Sequence, residues 1–535
     1  MSSTVNPSGS VSRPQTGDEY LESLRDGREV RIYGEKVADV TSHPAFRNNS
    51  RMVARLFDAL HDPERNSRLV VPTDTGNGGF THPYFKAPYT SGDLRAAARA
   101  MEEWARMTYG WLGRTPDFKA AFLSTLGSNK EHYAPFEDNA SAWYRKAQEN
   151  VLFIGHGIVN PPIDRNRGLT ELKDVMLTVD RETDAGLVVS GAKVVGTGAA
   201  LTQHIFIGSY GVIPKGAKEF SAYFIVPTNS PGLKIISRPS YEFASATVSS
   251  PFDQPLSSRL DENDGILVFD QVLIPWENVF CYDVDKANNF FYGSGFFYRA
   301  MFHACVRFAV KMDFLTGLLA KCLETTGTSE FRGVQSRLGE VLAYRNMFWA
   351  LVDSMAENPT KWPDGTVTPN GETALAFRVL SSSIFPKVRE IFLRDLGSAL
   401  IYNNSHALDW SNPEVRPYLD KYVRGLGVEA IDRVKLMKLA WDAVGTEFGA
   451  RWELYEMNYA GNHEQIRFEA LHAQQASGKF DDYKQLVDQC LSEYDENGWK
   501  VPDLVNPKDT TVLGAGVLGS GVPGAGTTAP VEAAR

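Results

Sequence analysis

Three basic side chains stand at regular intervals in a segment that is otherwise apolar. His303, Arg307 and Lys311 recur every four residues, so on a helix they form one polar stripe on a mainly buried element. Burial of such groups without partners is costly, and the stripe must meet solvent, an opposite charge or an active site. Histidine titrates near neutrality, so His303 is a candidate general base. A solvated stripe at the helix edge is the competing interpretation.

Two other candidates stand where one element gives way to another. In GWLGRTPDF, residues 110–118, a helix is predicted to stop before Arg114, and Pro116 opens the next helix. An arginine there could bind an anion or polarise an oxygen, or simply cap a helix at the surface. His156 lies between two glycines at a predicted helix-to-strand boundary, where a ligand or backbone could come close. A core histidine is equally consistent with that segment.

Three glycine- or proline-rich segments are less specific. The loop at residues 160–165 is rigid and ends in a charge pair, which suits a cofactor contact or a plain turn. Gly445 and Gly449 lie four apart and would clear one face of a helix, with Arg451 beyond, for a cofactor, a neighbouring subunit or close helix packing. The GxGxxG pattern at residues 514–519 lacks the strand, helix and acidic residue of a dinucleotide site and is interpreted as part of a tail.

Composition excludes several classes of protein. The chain has 535 residues, 43% of them hydrophobic, and a net charge of -10 with a pI near 5.6. These values predict a globular protein of several domains and argue against nucleic-acid binding. No apolar signal peptide or run of about 18 apolar residues is seen, so we expect a cytoplasmic protein without membrane contact. The four cysteines show no metal or disulfide pattern, and no metal is expected.

The order of patterns predicts a mainly α protein with a central β domain. Helical periodicity dominates from about residue 91 to 150, short β-branched runs separated by turns follow, and long apolar helices come after them. The predicted segments are a disordered leader (1–18), an N-terminal helical domain (19–157), a β domain of sandwich or barrel type (158–283), a C-terminal helical bundle (284–500) and a flexible tail (501–535).

This order resembles the acyl-CoA dehydrogenase-like flavoproteins. VSGAKVVGTGA, residues 189–199, is similar to the hairpin that meets the flavin in that fold, and FDQVLIPWENVF, residues 269–280, to the strand that closes its β domain. More specifically, DEYLESLRDGR, GWLGRTPDF, HGIVNPPIDR and FGARWELYEMNYAGNHE resemble the oxygenase component of two-component, reduced-flavin-dependent phenol hydroxylases, the 4-hydroxyphenylacetate 3-monooxygenase family. The likeness runs from about Thr16 to Arg467.

The resemblance implies an activity and partners. Such enzymes take FADH2 from a separate NADH-dependent flavin reductase, react it with O2 to a C4a-hydroperoxyflavin, and hydroxylate a small phenol ortho to its hydroxyl to give a catechol. A homotetramer is implied as well. Phenol, 4-nitrophenol and chlorophenols are the expected substrates, with 4-hydroxyphenylacetate as the alternative. A further alternative is an acyl-CoA dehydrogenase-like flavoenzyme, although its catalytic carboxylate could not be placed; a non-enzymatic helical scaffold would leave the polar residues in apolar helices unexplained.

The resemblance also assigns roles to residues of this chain. It implies that Arg114, His156 and His303 are catalytic. Phe118 stands where 4-hydroxyphenylacetate enzymes often have tyrosine, which favours a less polar phenol. The implied substrate contacts are Arg114, Phe118, His156, Ser209 and Tyr210. The implied FAD contacts are His156, Pro162, Ile163, Asp164, Arg165, Thr197, Thr446, Glu447, Phe448, Gly449 and Arg451, the last five belonging to a segment that could act across a subunit interface.

Overall fold

Capping signals fix where the N-terminal helices begin. The Thr16 hydroxyl accepts a hydrogen bond from Glu19 N at 3.3 Å, and the Glu19 carboxylate accepts one from Thr16 N at 2.7 Å. The first helix therefore begins at Gly17, inside the segment predicted as a leader. Thr90 and Asp93 form a second capping box, at the start of the helix that begins at Ser91. The helices are α1 (Gly17–Ser23), α2 (Arg47–Ala59), α3 (Asn66–Leu69), α4 (Ser91–Met107), α5 (Ala120–Leu123), α6 (Thr125–Ser128) and α7 (Glu137–Asn150).

The computed structural model describes residues 13–362, 364–496, 498–501 and 504. The GxGxxG pattern at 514–519, most of the predicted leader and most of the predicted tail lie outside these ranges. The chain divides into two compact units, Met1–His463 and Glu464–Arg535, of which the described parts are treated separately below.

The β domain of the first unit holds two sheets among the described residues. The larger has the strand order β2-β1-β10-β11-β7-β6 and the smaller the order β12-β9-β8-β5. These strands are β1 (Glu29–Ile32), β2 (Glu35–Lys36), β5 (Ile154–Gly157), β6 (Thr178–Thr183), β7 (Gly186–Thr197), β8 (His204–Ile207), β9 (Ala222–Pro227), β10 (Leu233–Ser237), β11 (Asp264–Pro275) and β12 (Val279–Tyr282). A separate hairpin pairs β3 (Val71–Pro72) with β4 (Phe80–Thr81), and α8 (Tyr241–Val248) lies between β10 and β11.

Strand β1 is the unexpected member of the larger sheet. It pairs in parallel with β10, Val30 opposite Ile235, although residues 29–36 were predicted to belong to the helical domain. Four residues are too few to show a period of two in the sequence. In the smaller sheet β5 pairs in parallel with β8, which places His156 opposite Phe206.

Long helices form the rest of the first unit. The longest, α11, runs for 31 residues between two glycines with positive φ, Gly295 at 83° and Gly327 at 72°, of which the second provides a left-handed C-terminal cap. The helices are α9 (Val284–Asn288), α10 (Phe290–Gly293), α11 (Phe296–Thr326), α12 (Arg332–Glu357), α13 (Gly371–Leu396), α14 (Arg416–Tyr422), α15 (Ala430–Val444) and α16 (Glu447–Asn458), with a small hairpin of β13 (Thr360–Lys361) and β14 (Val367–Thr368). The predicted fold class, mainly α with a central β domain, is confirmed.

The prediction that Gly445 and Gly449 clear one face of a single helix is wrong. Gly445 ends α15, and Thr446 caps α16 by accepting a hydrogen bond from Gly449 N at 3.3 Å. The two glycines therefore lie on different helices. A Cβ at Gly449 would stand 2.8 Å from the Ala443 carbonyl oxygen, so this glycine lets the start of α16 pack against the end of α15.

The second unit is small and largely exposed. It contains α17 (His463–Ala476), which begins one residue before the division, α18 (Lys479–Ser492), and a hairpin of β15 (Tyr494–Asp495) and β16 (Gly498–Trp499). Across the described residues, no helix combines the length and apolarity needed to cross a membrane. The four cysteines are free thiols, and no group of three or more potential ligands for a metal ion occurs in the described ranges.

Candidate active site

Four basic side chains surround one phenyl ring. Phe118 is 3% exposed and lies in a 3-10 turn that Pro116 opens. The distances from the Phe118 ring centroid are 4.2 Å to Arg114 Cζ, 4.5 Å to Lys119 Nζ, 5.3 Å to the His156 ring and 5.6 Å to the His303 ring. The structure thus brings together the three residues predicted to be catalytic, and adds Lys119, which sequence reasoning missed.

Arg114 is held by groups from two other elements. Its backbone N–H donates to the Glu262 carboxylate, and its Nη1 donates to the Tyr455 hydroxyl at 2.5 Å. A side chain at Gly113 would overlap that hydroxyl, so glycine is required before Arg114. Arg114 Nε is buried and has no hydrogen-bond partner among the described residues, which leaves one donor for a ligand.

His156 projects from strand β5 as a neutral imidazole. Burial, with the charges of Lys119 and Arg114 adding to it, lowers the pKa of His156 well below its ordinary value. Its Nδ1 is buried and lacks a partner within the described ranges. The flanking glycines accommodate protein rather than ligand, since a Cβ at Gly155 would lie 3.0 Å from the Thr202 hydroxyl and one at Gly157 would lie 2.7 Å from Leu267.

His303 is oriented by a buried carboxylate. Its Nε2 lies 3.2 Å from Asp117 Oδ1 and 3.4 Å from the Thr115 hydroxyl. Although burial raises the pKa of Asp117, the charge and hydrogen bond of His303 lower it below its ordinary value. His303 is only 3% exposed, so the solvated-stripe interpretation is excluded.

The other two members of the stripe form a separate buried ion cluster. Arg307 donates to both oxygens of Glu456 at 2.6 and 2.7 Å, and Lys311 Nζ donates to Oε1 at 2.6 Å. All three side chains are at most 3% exposed. These contacts join α11 to α16, the helix that also carries Tyr455 and Arg451.

Two of the predicted FAD contacts meet at one carboxylate. The Thr197 hydroxyl donates to Asp264 Oδ1 at 2.6 Å, and Arg451 donates to the same carboxylate at 2.7 and 3.1 Å. Arg451 Nη1 lies 3.6 Å from Glu262 Oε2, and both atoms are buried without a hydrogen-bond partner in the described part of the chain. Thr197 and Arg451, 254 positions apart in the sequence, therefore meet at one carboxylate.

The remaining predicted FAD contacts lie in two segments. Pro162, Ile163, Asp164 and Arg165 form a surface loop in which Ile163 is 62% exposed. In the second segment Phe448 is 1% exposed and packs against Trp111 at 5.6 Å, so its side chain belongs to the core and only its backbone could face a ligand. Thr446 and Gly449 are joined by the cap of α16, and Glu447 is exposed.

Lys193 links that surface loop to the predicted substrate segment. Its Nζ donates to Asn160 Oδ1 at 2.7 Å and to Ser209 Oγ at 3.1 Å. Tyr210, the next residue, accepts a hydrogen bond from Arg378 at 2.8 Å. Ser209 and Tyr210 thus lie just after the end of β8.

Family models match nearly all of this framework. The model of the 4-hydroxyphenylacetate 3-hydroxylase N-terminal domain matches residues 16–281, and that of the C-terminal domain matches residues 287–488. The chain belongs to the 4-hydroxyphenylacetate 3-hydroxylase family. The order of helical domain, β domain and helical bundle superposes on a solved oxygenase component of that family.

Individual family members are similar over their whole lengths. The oxygenase component of a Rhodococcus 4-nitrophenol 2-monooxygenase is 57% identical, over 94% of this chain and 96% of that protein. An Escherichia coli 4-hydroxyphenylacetate 3-monooxygenase oxygenase component is 51% identical, over 94% and 98% of the two chains. A crystal structure of such an oxygenase component with FAD superposes with a TM-score of 0.84 at 29% identity, covering 89% of this chain and 99% of that one.

The polar groups of this member of the 4-hydroxyphenylacetate 3-hydroxylase family fit a flavin dinucleotide. Arg451 is a cationic donor that suits a phosphate or a flavin oxygen, and its buried Nη1 makes no hydrogen bond within the described ranges, although it lies 3.6 Å from Glu262 Oε2. Arg114 Nε and His156 Nδ1 are likewise unused and buried beside an aromatic ring. Unpaired buried polar atoms are rare in folded proteins, and a ligand that bonds to Arg114 Nε and His156 Nδ1 would satisfy both atoms.

Sequence reasoning missed the groups that orient the candidates. Asp117 and Lys119 stand inside the GRTPDFK segment, but a 3-10 turn has no hydrophobic period that would show which way each side chain points. Glu262, Tyr455 and Glu456 act through contacts distant in sequence, for which a single sequence carries no signal.

Proposed function

We propose that this protein is the oxygenase component of a two-component, FADH2-dependent monooxygenase that hydroxylates small phenols ortho to their hydroxyl group, giving catechols. The observation that carries the proposal is the ring of Arg114, His156 and His303 around buried Phe118, in a chain 57% identical to a 4-nitrophenol 2-monooxygenase component. A phenyl group at the centre of the site suits an apolar phenol better than one with a charged side chain.

His303 is the proposed base for the phenol. A carboxylate only accepts hydrogen bonds, so Asp117 holds the proton of His303 on Nε2 and leaves Nδ1 as the basic nitrogen. Removal of the phenolic proton raises the electron density at the ortho carbon. Thr115, 3.4 Å from Nε2, keeps the imidazole in this orientation.

Arg114 and His156 are the proposed donors to oxygen. Both are fixed by neighbours before a ligand arrives, Arg114 by Tyr455 and Glu262 and His156 by the parallel pairing of β5 with β8. Preorganised donors stabilise developing charge without reorganisation in the reaction. Because His156 is neutral, it can hydrogen-bond to an oxygen without adding a second full charge beside Arg114.

The cofactor would be held by the residues that the family resemblance assigns. These are His156, Pro162, Ile163, Asp164, Arg165, Thr197, Arg451 and the segment from Thr446 to Gly449. FAD, supplied in reduced form by a separate NADH-dependent reductase, provides the activation of O2 in such enzymes. The buried aromatic and aliphatic residues around Phe118 exclude water from the place where this occurs. A cytoplasmic homotetramer is part of the proposal.

A coupled assay tests the function. The protein, a flavin reductase, FAD, NADH and O2 are offered phenol, 4-nitrophenol, 4-chlorophenol and 4-hydroxyphenylacetate, and catechols are identified by mass. We expect catechols from the simple phenols at higher kcat/KM than from 4-hydroxyphenylacetate. Hydrogen peroxide without any hydroxylated product would show that the substrate class is wrong.

His303→Ala tests the base. Loss of general-base catalysis should lower kcat by about 10²- to 10⁴-fold, while FAD binding measured by fluorescence stays within twofold. His204→Ala is the matched control, since His204 is a neutral, largely buried histidine of the neighbouring strand β8. Equal losses in the two variants would argue that His303 acts through stability alone.

A further inference from the structure

Lys119 is a buried amine without a polar partner. It is 1% exposed, and neither a hydrogen bond nor an ion pair to its Nζ occurs among the described residues. Three phenyl rings surround Nζ, with centroid distances of 4.5 Å to Phe118, 5.2 Å to Phe206 and 4.9 Å to Phe296. Lysine is almost never fully buried unless paired, so this arrangement is costly for the protein alone.

Positive charge is in excess around Phe118. Lys119 and Arg114 both lie over its ring and both lower the pKa of His156. Burial of Lys119, with the charge of Arg114 adding to it, lowers the pKa of Lys119 well below its ordinary value, so an anion bound beside the amine would favour its protonated form.

The carboxylates of this region are already engaged. Asp117 accepts from His303, and Glu262 is used by the backbone of Arg114 and by Arg451. Neither the Arg114 nor the Lys119 side chain has an ion pair in the described ranges. A bound anion would supply the missing negative charge.

We propose that Lys119 is a further substrate-binding residue, which together with Arg114 makes the pocket at Phe118 a site for the ionised phenol, the phenolate, in preference to the neutral phenol. The inference rests on the proposed function and narrows it. Phenols that ionise readily, such as nitro- and halogen-substituted ones, are the substrates such a pocket selects. The three phenyl rings offer the amine no competing polar partner and exclude water. Its electrostatic attraction to the phenolate is therefore stronger than it would be in water.

The other titratable groups around the pocket remain the same in the test. They are His156 from β5, Asp117 from the 3-10 turn, His303 from α11, Tyr455 from α16 and Tyr459 directly after it. Because only Lys119 is altered, a change in the ionisation of the bound ligand reports on the charge of Lys119.

4-Nitrophenol provides the readout because its phenolate, unlike the neutral phenol, absorbs visible light. The purified full-length protein, alone and with reduced FAD without oxygen, is titrated with 4-nitrophenol at a series of pH values. For the wild type we expect the bound ligand to ionise at lower pH than in solution. For Lys119→Met we expect the bound ligand's pKa to rise by about one unit or more and phenolate binding to weaken about tenfold, the loss of one charge-assisted hydrogen bond.

Three comparisons make the result specific. Lys119→Arg should retain most of the shift, and 4-nitroanisole, which cannot ionise, should bind wild type and Lys119→Met alike. Lys146→Met is the matched control, since Lys146 Nζ also lies over an aromatic ring, that of Trp143 at 4.3 Å. If Lys119 served only to stabilise the fold, its replacement would lower the melting temperature, whereas we expect Lys119→Met to melt at or above the wild-type temperature. If the methionine variant does not fold, Lys119→Gln is used for the same titration.

The two proposals fail in different ways. An unchanged phenolate fraction in both Lys119→Met and Lys119→Gln, in a protein whose wild type makes catechols in the coupled assay, would overturn the role of Lys119 and leave the function standing. Absence of catechol from every phenol offered to the wild type would instead overturn the function.

Discussion

Asp117 is the residue on which the orientation of His303 depends. It is 1% exposed and also accepts a hydrogen bond from the Thr115 hydroxyl at 2.5 Å. Two neighbours therefore fix the carboxylate, and the carboxylate fixes the imidazole. Such an arrangement sets which ring nitrogen carries the proton.

Asp117→Asn should retain the shape of the site but change which ring nitrogen of His303 carries the proton. The asparagine amide can donate to Nε2, which would leave the proton on Nδ1, the nitrogen proposed as base. We expect kcat to fall by roughly 10- to 1000-fold, at most the contribution of the base itself, with KM and FAD binding little changed. The measurement is steady-state hydroxylation of 4-nitrophenol with catechol quantified. Thr115→Val, which removes a weaker contact, should cost far less, and the reverse order would contradict this account.

The sequence was enough to name several residues of the site, but not to show which residues contact one another. Arg114, His156 and His303 were named from junctions, flanking glycines and helical spacing, and the structure places all three around Phe118. Lys119 is adjacent to Phe118 in sequence and still escaped notice, because nothing in a sequence shows that a lysine lacks a partner. The roles of the predicted FAD residues remain predictions.

At the scale of elements, the break between α15 and α16 decides where Arg451 points. The sequence pattern is helical throughout this region, and apolar periodicity does not show that a helix stops and starts again within two residues. Thr446 supplied the available signal, since threonine is a preferred N-cap. The cap and the close packing at Gly449 together direct α16, and with it Arg451, toward Asp264.

Gly449→Ala should disturb this junction. The added Cβ would stand 2.8 to 2.9 Å from backbone atoms of Ala443 and Val444, which cannot rotate away. We expect a loss of about 1–3 kcal/mol in the free energy of unfolding and weaker FAD binding, measured by denaturant titration and fluorescence.

The matched control is Gly339→Ala in α12. A Cβ at Gly339 would meet nothing within 4 Å, so alanine should stabilise the protein by about 0.5–1 kcal/mol through its helix propensity. If both substitutions were stabilising, close packing at Gly449 would not be what sets the helix junction.

At the scale of the whole molecule, the ion cluster of Glu456, Arg307 and Lys311 stabilises the contact between the two helices that carry His303 and Tyr455. One carboxylate serves two buried cations, and α11 and α16 are joined at the level of Tyr455. Although burial raises the pKa of Glu456, the charges of Arg307 and Lys311 lower it below its ordinary value. Its contribution to stability is therefore present above pH about 4.3, the pKa in the unfolded chain, and lost as the pH falls through the lower, folded pKa.

Glu456→Gln should be strongly destabilising at neutral pH. Two buried cations would lose their counter-charge, at a cost of about 3–5 kcal/mol, and the variant should lose less stability than the wild type on acidification. Thermal melts at pH 3 to 8 measure both effects. Lys311→Met, which leaves Arg307 and Glu456 as a one-to-one pair, should have a much smaller effect; comparable losses would show that packing, not charge, dominates.

The parallel pairing of β1 with β10 has a consequence for biosynthesis. About 200 residues separate the two strands, and at 5–20 residues per second β1 waits roughly 10–40 s on the ribosome before its partner is made. During that interval the larger sheet cannot form completely. The edge of β1 that will pair with β10 is unpaired and can bind other chains. Newly made protein should therefore need shielding by a chaperone until β10 emerges, and slower translation should lower its soluble yield.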